Sequence, residues 1–300
     1  MSLIPAFDPL YRIWHLRKVW QLCLIPPMLG VLAATLYPDR LAALSTPFGA
    51  GLLLSLWAVG SALHLILWPR LPVEVLAWSV TLGLLLAVAP GILHTRDGSA
   101  FSLVWLAALA APLGLALNHL ILTLMFRGPT VGRHYSASAS TRLGPEHILQ
   151  SLRLGPDQSG PFAETGPACN DGSFTVHLPV PVQIDSRRAA GLWSCTARLV
   201  DESALHQLQA LVPVAEPHKE TRILLRAEAD GDGARIFVDE FETGLPLGCA
   251  LLFGLTGMHD DMLRARIDHA EGRPSQAIRA ATQTSPLRAI GEWVTPLREG

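Results

Sequence analysis

The sequence predicts a membrane α-helical bundle followed by an α+β domain, and three observations predict it. Four apolar stretches, each close to the length of a bilayer crossing, fill most of residues 19–126. After Tyr135 the hydrophobic period changes from helical to strict alternation. A long helical pattern, Leu247 to Glu271, then closes the alternating segments. The charges divide the same way. Before Tyr135 the cations are Arg12, Arg17, Lys18, Arg40, Arg70, Arg96, Arg127 and Arg133, against Asp8, Asp39, Glu74 and Asp97; the remainder is net negative. No basic domain is present, so the electrostatic footprint of a nucleic-acid binder is missing.

Residues 1–18 mix Tyr11 and Trp14 with Arg12, Arg17 and Lys18, a composition that favours the membrane–water interface. This segment is either an interfacial helix or the flank of the first span. The four expected spans are Val19 to Tyr37, Pro47 to Trp68, Val73 to His94 and Phe101 to Phe126. The last contains no charged residue; as a helix it would run roughly 39 Å, against about 30 Å of hydrocarbon. Pro26 and Pro27 remove backbone donors and kink the first span. Arg17 and Lys18 before an apolar run also fit a cleaved signal; the proline pair and the runs that follow favour a retained anchor.

Short connections make neighbouring helices antiparallel. The amino terminus, the second loop and the flank after Phe126 share one side and hold Arg12, Arg17, Lys18, Arg70, Arg127 and Arg133; the other side holds Arg40 and Arg96. The cation rule then places both termini in the cytoplasm, with the spans in the cell's inner membrane. Small residues at Ala107 and Ala111, at Ala110 and Gly114, and at Gly51 and Ser55 would let helices approach closely.

His64, Asn118 and His119 are the polar outliers of the spans. Counted from the cytoplasmic ends, His64 sits about 6 Å deep and His119 about 10 Å deep. Two such histidines could ligate haem iron or hydrogen-bond a quinone. The alternative is interhelical hydrogen bonding or snorkelling. No acidic relay and no broken-helix repeat points to a transporter.

In the second half, Tyr135, Ala137 and Ala139 alternate with serines. Pro145 and Glu146 open a short helix with Ile148, Leu149 and Leu152 on one face. Gly155 to Gly172 reads as loop. Strand alternation recurs from Phe174 to Val180, Trp193 to Leu199, Ile223 to Ala229 and Arg235 to Glu242, with Asp230-Gly231-Asp232-Gly233 as a hairpin turn. Asp201 to Pro213 fits a short helix or an edge strand, with Leu205, Leu208 and Leu211 or Val212 apolar. In the closing helix Leu251, Leu255, Met258, Met262, Leu263 and Ile267 form a stripe, stopped by Gly272 and Pro274. Both apolar surfaces need a partner, so the helix covers the sheet. The expected division is 1–18, 19–127, 133–272 and a tail, 273–300.

The segment GDGARIFVDEFETGLP followed by GLTGMHDDMLRARIDHAEG resembles the end of the START-like, or SRPBCC, superfamily. There a glycine-turn strand leads through a G-x-P step into the closing helix; the corresponding positions here are Gly233, Val238, Glu240, Gly244 and Pro246. The resemblance covers about Tyr135 to Gly272. It implies a helix-grip fold with an apolar cavity for lipids, isoprenoids, quinones or polyketides. The superfamily shares no catalytic residues, so none carries over, and a four-span anchor departs from its usual soluble members. On this reading Trp193, Phe237 and Phe241 of the strands and Met258 and Met262 of the closing helix would line the cavity.

Other constellations are weaker. Glu228, Asp230, Asp232 and Asp239 echo a calcium loop, but strands flank them and a plain turn is the simpler reading. His259, Asp260 and Asp261 read as a solvated helix surface. Cys23, Cys169, Cys195 and Cys249 have no metal-ligand spacing. No nucleophile elbow, triad order or phosphate loop occurs, so binding is expected rather than catalysis. Leu287, Ile290, Val294 and Leu297 share a helical face that could dock on the protein itself, a membrane or a partner. The expected partners are membrane lipid and a hydrophobic small molecule. A structural subunit of a membrane complex is the alternative, and a histidine-held cofactor in the bundle is a third.

Overall fold

The computed structural model describes residues 8–36, 46–69, 71–94, 100–179, 192–214 and 219–277. It forms two compact units, one over Pro9–Leu124 and one over Met125–Ala281. The tail pattern Leu287 to Leu297 lies outside the described residues.

The first unit is helical: α1 (Pro9–His15), α2 (Arg17–Thr35), α3 (Pro47–Leu67), α4 (Pro72–His94) and α5 (Ala100–Arg127), whose last turn belongs to the second unit. Among the described residues four helices are long and apolar enough to cross a membrane, over Arg17–Thr35, Pro47–Leu67, Pro72–Ala89 and Ala108–Met125. Their side chains are largely unburied by protein; Leu52, Leu56, Val59 and Leu63 of α3 stand exposed. Such surfaces suit hydrocarbon, where apolar groups need no cover. Thr46 caps α3, its hydroxyl accepting the Gly49 N–H.

Close approach occurs where the sequence reading did not place it. A Cβ on Gly30 would lie 2.6 Å from the Gly83 carbonyl oxygen, and one on Gly83 would lie 2.4 Å from that of Pro26. The backbones of α2 and α4 therefore touch beside the proline pair. Gly51 meets open space instead, and Gly114 lies against the Trp78 ring. The Trp20 indole donates to the Ala58 carbonyl at 3.0 Å and that of Trp57 to Cys23 at 3.2 Å, tying α2 to α3.

The second unit is a helix-grip fold. Among its described residues a seven-stranded antiparallel sheet runs in the order β1-β7-β6-β5-β4-β3-β2. The strands are β1 (Thr130–Thr141), β2 (Glu164–Ala168), β3 (Phe174–Pro179), β4 (Leu192–Glu202), β5 (His206–Pro213), β6 (Thr221–Asp230) and β7 (Gly233–Pro246). Between β1 and β2 lies α6 (Pro145–Leu152); after β7 come α7 (Leu247–Thr256) and α8 (Met258–Ala270). Alternation places Ala137, Leu225, Ala227, Ala234 and Ile236 on one face, where they pack with Ile148, Leu149 and Leu152 of α6 and with Leu263 and Ile267 of α8. Farther across the same face Phe174, Val176, Cys195, Ala197 and Leu211 form a second cluster.

Four expectations are corrected here. The closing helix is two helices, because Gly257 takes φ 56° and both ends α7 and begins α8. The loop expected from Gly155 to Gly172 contains β2, paired with β3. The stretch Asp201 to Pro213 holds a full strand, β5, paired on both sides. Gln207, Gln209, Leu211 and Pro213 are its buried residues, while Leu205 is exposed. The strand opening the domain begins at Thr130, upstream of Tyr135. The aspartate-rich segment is a tight turn: Asp230 pairs with Gly233 and Gly231 adopts φ 58°. Asp239 is held elsewhere, by Arg226 at 2.9 Å.

The end of α8 is locked to the sheet. Glu271 accepts from the Thr141 hydroxyl at 2.6 Å and the Arg142 N–H at 3.0 Å. Asp268, buried, accepts from Arg273 at 2.7 Å and Ser275 at 2.8 Å. Charge-assisted bonds of this kind fix the helix against β1.

Candidate functional site

Strand parity that buries Ala234 and Ile236 also carries Val238, Glu240 and Glu242 onto the gripped face. Three rows cross this face. Ala137, Val238, Leu225 and Gln207 form one; Tyr135, Glu240, Ile223 and Gln209 the next; Arg133, Glu242, Thr221 and Leu211 the third. Polarity therefore concentrates toward the end where β1 begins and β7 finishes.

From above, α8 brings His259 to this patch one turn before Leu263 joins the core. His259 Nδ1 lies 3.0 Å from Glu240 Oε2. Its ring lies over Tyr135 at a centroid distance of 3.6 Å and meets Phe253 edge-on at 6.1 Å. The carboxylate holds the proton on Nδ1, leaving Nε2 as an acceptor. That Nε2 is buried and has no hydrogen-bond partner among the described residues. Gln207 and Gln209 are 1% and 2% exposed. The Gln209 amide donates to Gln207, whose own Nε2 is buried without a partner. A buried polar atom left unsatisfied costs roughly 1–3 kcal/mol, so each is a point where the fold is incomplete by itself.

Charges around the patch are balanced. The Arg133 guanidinium sits 4.0 Å from the Tyr135 ring centroid, and the phenol donates to the Ala250 carbonyl at 3.4 Å. Burial pushes the Tyr135 phenol up, against the pull of Arg133. Burial, reinforced by the Glu240 charge, raises the Glu242 carboxyl to about 7, with Arg133 and Lys219 opposing. Burial lowers the Arg266 guanidinium to about 10, opposed by Glu240, and this side chain donates to the Leu152 carbonyl. Glu240 and Glu242 thus share this end of the face with the cations Arg133, Lys219 and Arg266.

The expected lining residues divide. Met258 and Met262 are half-buried on α8. Trp193 stands on β4 opposite Leu178, at the same parity as buried Cys195 and Ala197; its side chain lies outside the described residues. Phe237 and Phe241 occupy the opposite face of β7, one residue out of phase with Ile236 and Glu240. Phe241 is 46% exposed and stacks on His134 at 4.2 Å, and Phe237 lies beside Arg226 and Arg235. Their phase follows from the hairpin turn, which puts Ala234 and Ile236 inside. His259, read as solvated surface, is instead a member of the patch, and Asp261 is 4% exposed. Glu240, Glu242, Gln207 and Gln209 were signalled only by sharing parity with Ile236 and Leu211. His177 pairs with Ser194 at 2.9 Å.

In the helical unit, His64 contacts Trp68 at 5.1 Å and Glu74 at 3.9 Å. His119 is exposed, and no contact between His64 and His119 occurs among the described residues. Asn118 Oδ1 is buried with no hydrogen-bond partner among them.

No family model matches the chain, and no curated protein matches it in sequence. Similar solved structures include the Zhui aromatase/cyclase from Streptomyces sp. R1128, at 14% identity over 47% of this chain and 94% of that one, with a TM-score of 0.35. Ara h 8.0201 is 6% identical over 48% of this chain and 100% of its own, TM-score 0.32. The Deinococcus radiodurans protein DR_A0006 is 15% identical over 47% and 99%, TM-score 0.29. None of these values is high enough for a ligand or reaction to carry across. What fold and side chains define is a helix-grip domain with a polar patch on its gripped face, joined to four long apolar helices.

Proposed function

We propose that the chain is a multi-pass membrane protein whose START-like domain binds a hydrophobic small molecule, such as a lipid, isoprenoid or quinone, exchanged with the adjacent leaflet. The single observation that carries the reading is the patch itself. Beside the apolar core of the gripped face, this patch buries His259 Nε2 and Gln207 Nε2 without hydrogen-bond partners among the described residues. One oxygen function on an apolar ligand could accept from the amide or donate to the imidazole. The four apolar helices support anchoring, and the cation distribution favours cytoplasmic termini. Tethering at the bilayer raises the local concentration of any lipid-soluble ligand without new contacts.

The test is organic extraction of the purified full chain followed by mass spectrometry. A hydrophobic molecule should be released in stoichiometric amount, and less of it from His259→Phe protein. An empty domain with a co-purifying protein would replace this reading with a structural role in a complex. A visible absorption band abolished by His119→Ala would replace it with a cofactor site in the bundle.

A further inference from the structure

The ten residues of α7, LGCALLFGLT, contain no charge. Cys249, Ala250 and Leu252 are buried, the first two packing with Leu245 and Val131. Leu247 and Leu251, one turn apart on the helix, are 39% and 58% exposed. A short helix with no polar face is ordinarily buried on all sides, and this one is covered on one.

Its position says what covers the other side. A Cβ on Gly248 would lie 2.4 Å from Met125 Cα, so the two backbones touch. Cys249 Sγ lies 3.8 Å from the Met125 carbonyl oxygen, and the Leu247 N–H donates to the Pro129 carbonyl at 2.8 Å. Met125 is the last residue of the apolar stretch Ala108–Met125. The exposed Arg127 stands two residues further on. Near the other end of this contact, Gly244, three residues before α7 begins, is packed by the Lys219 side chain. On the membrane reading of α5 proposed above, an apolar helix fixed to that helix's last turn, with Arg127 and Lys219 close by, lies level with the headgroup–acyl boundary.

We propose that the Leu247–Leu251 face of α7 is a membrane-docking surface, seated in the headgroup–acyl boundary of the leaflet from which α5 emerges. The occupant is the lipid bilayer, through continuity with the apolar end of α5. This seat is separate from the ligand reading and stands whether or not the gripped face holds a molecule.

The experiment uses the full chain in phosphatidylcholine–phosphatidylglycerol vesicles. Cys23, Cys195 and Cys249 are buried, and burial pushes the Cys249 thiol up to about 12, so only Cys169 needs removal, as Cys169→Ser. An environment-sensitive NBD label is then placed at Leu251→Cys, and at Asp232→Cys in the distal turn as the reference. The label at 251 should be blue-shifted, several-fold brighter and quenched by doxyl-labelled lipid but not by iodide; the label at 232 should behave oppositely. Iodide quenching at both positions would overturn the proposal. So would a label at 251 shielded from both quenchers, which would assign the face to a second copy or a partner protein. Position 247, as Leu247→Cys, gives an independent reading because both leucines are exposed and their replacement leaves the core intact. Lipid quenching at 251 with no extractable ligand would sustain the docking surface and reject the proposed function.

Discussion

The inner face of β7 has two ends that differ in kind. Toward the hairpin, Ala234 and Ile236 are fully buried against Leu263 and Ile267 of α8. Toward α7, the same parity carries Glu240, which His259 contacts, and Glu242. One strand and one helix thus build an apolar core at one end and a polar patch at the other. The difference shows that burial alone does not define a core. The first end is closed by apolar side chains, whereas the second leaves His259 Nε2 without a hydrogen-bond partner among the described residues.

The comparison breaks hardest at the core end. Ile236→Ala removes fully buried methyl groups and should cost about 3 to 4 kcal/mol in denaturant unfolding of the full chain, with the tight turn and strand register retained. A loss under about 1 kcal/mol would mean that this end is loosely packed.

At the patch end the largest effect is electrostatic. Glu242 has its folded pKa raised from 4.5 to about 7. The folded state therefore binds more protons than the unfolded state between these values, and stability falls as pH rises through that window. Glu242→Gln removes this dependence. It should be nearly neutral at pH 4 and stabilising by about 2 to 3 kcal/mol at pH 8, read as a divergence of the two Tm-against-pH curves.

A smaller effect separates recognition from packing. His259→Phe keeps a ring over Tyr135 but removes both nitrogens. Loss of one ligand hydrogen bond is worth about 1 kcal/mol, or roughly fivefold in affinity, and should appear as lower occupancy in extracted protein. Unchanged occupancy would remove His259 from the site. The smallest effect belongs to the outer face: Phe241→Ala should change stability by under about 1 kcal/mol and leave ligand occupancy as it was.

Much of the architecture was legible because it depends on period. Unbroken apolar runs gave the four long helices, and alternation gave β1, β3, β4, β6 and β7. Phase was harder. Phe237 and Phe241 are the larger apolar residues of β7, but the turn at Gly231 sets the register and puts their smaller neighbours inside. The patch was hidden for a related reason. Gln207, Glu240 and His259 are polar, and polar residues on an alternating strand or a helix flank read as solvent-facing until a partner element is placed over them. Helix contacts in the bundle were equally illegible, since Gly30 and Gly83 meet beside Pro26 across two helices, a pairing that no spacing rule encodes.

The left-handed residue at Gly257 has a consequence for how the final segment divides its labour. A single uninterrupted helix must keep one angular phase along its length, so its two halves cannot choose their environments separately. Resetting the axis in mid-course frees Leu251 to answer to one medium and Ile267 to another. A Cβ at position 257 would press both halves back toward a common phase, and each could then satisfy its own surroundings only at the other's expense.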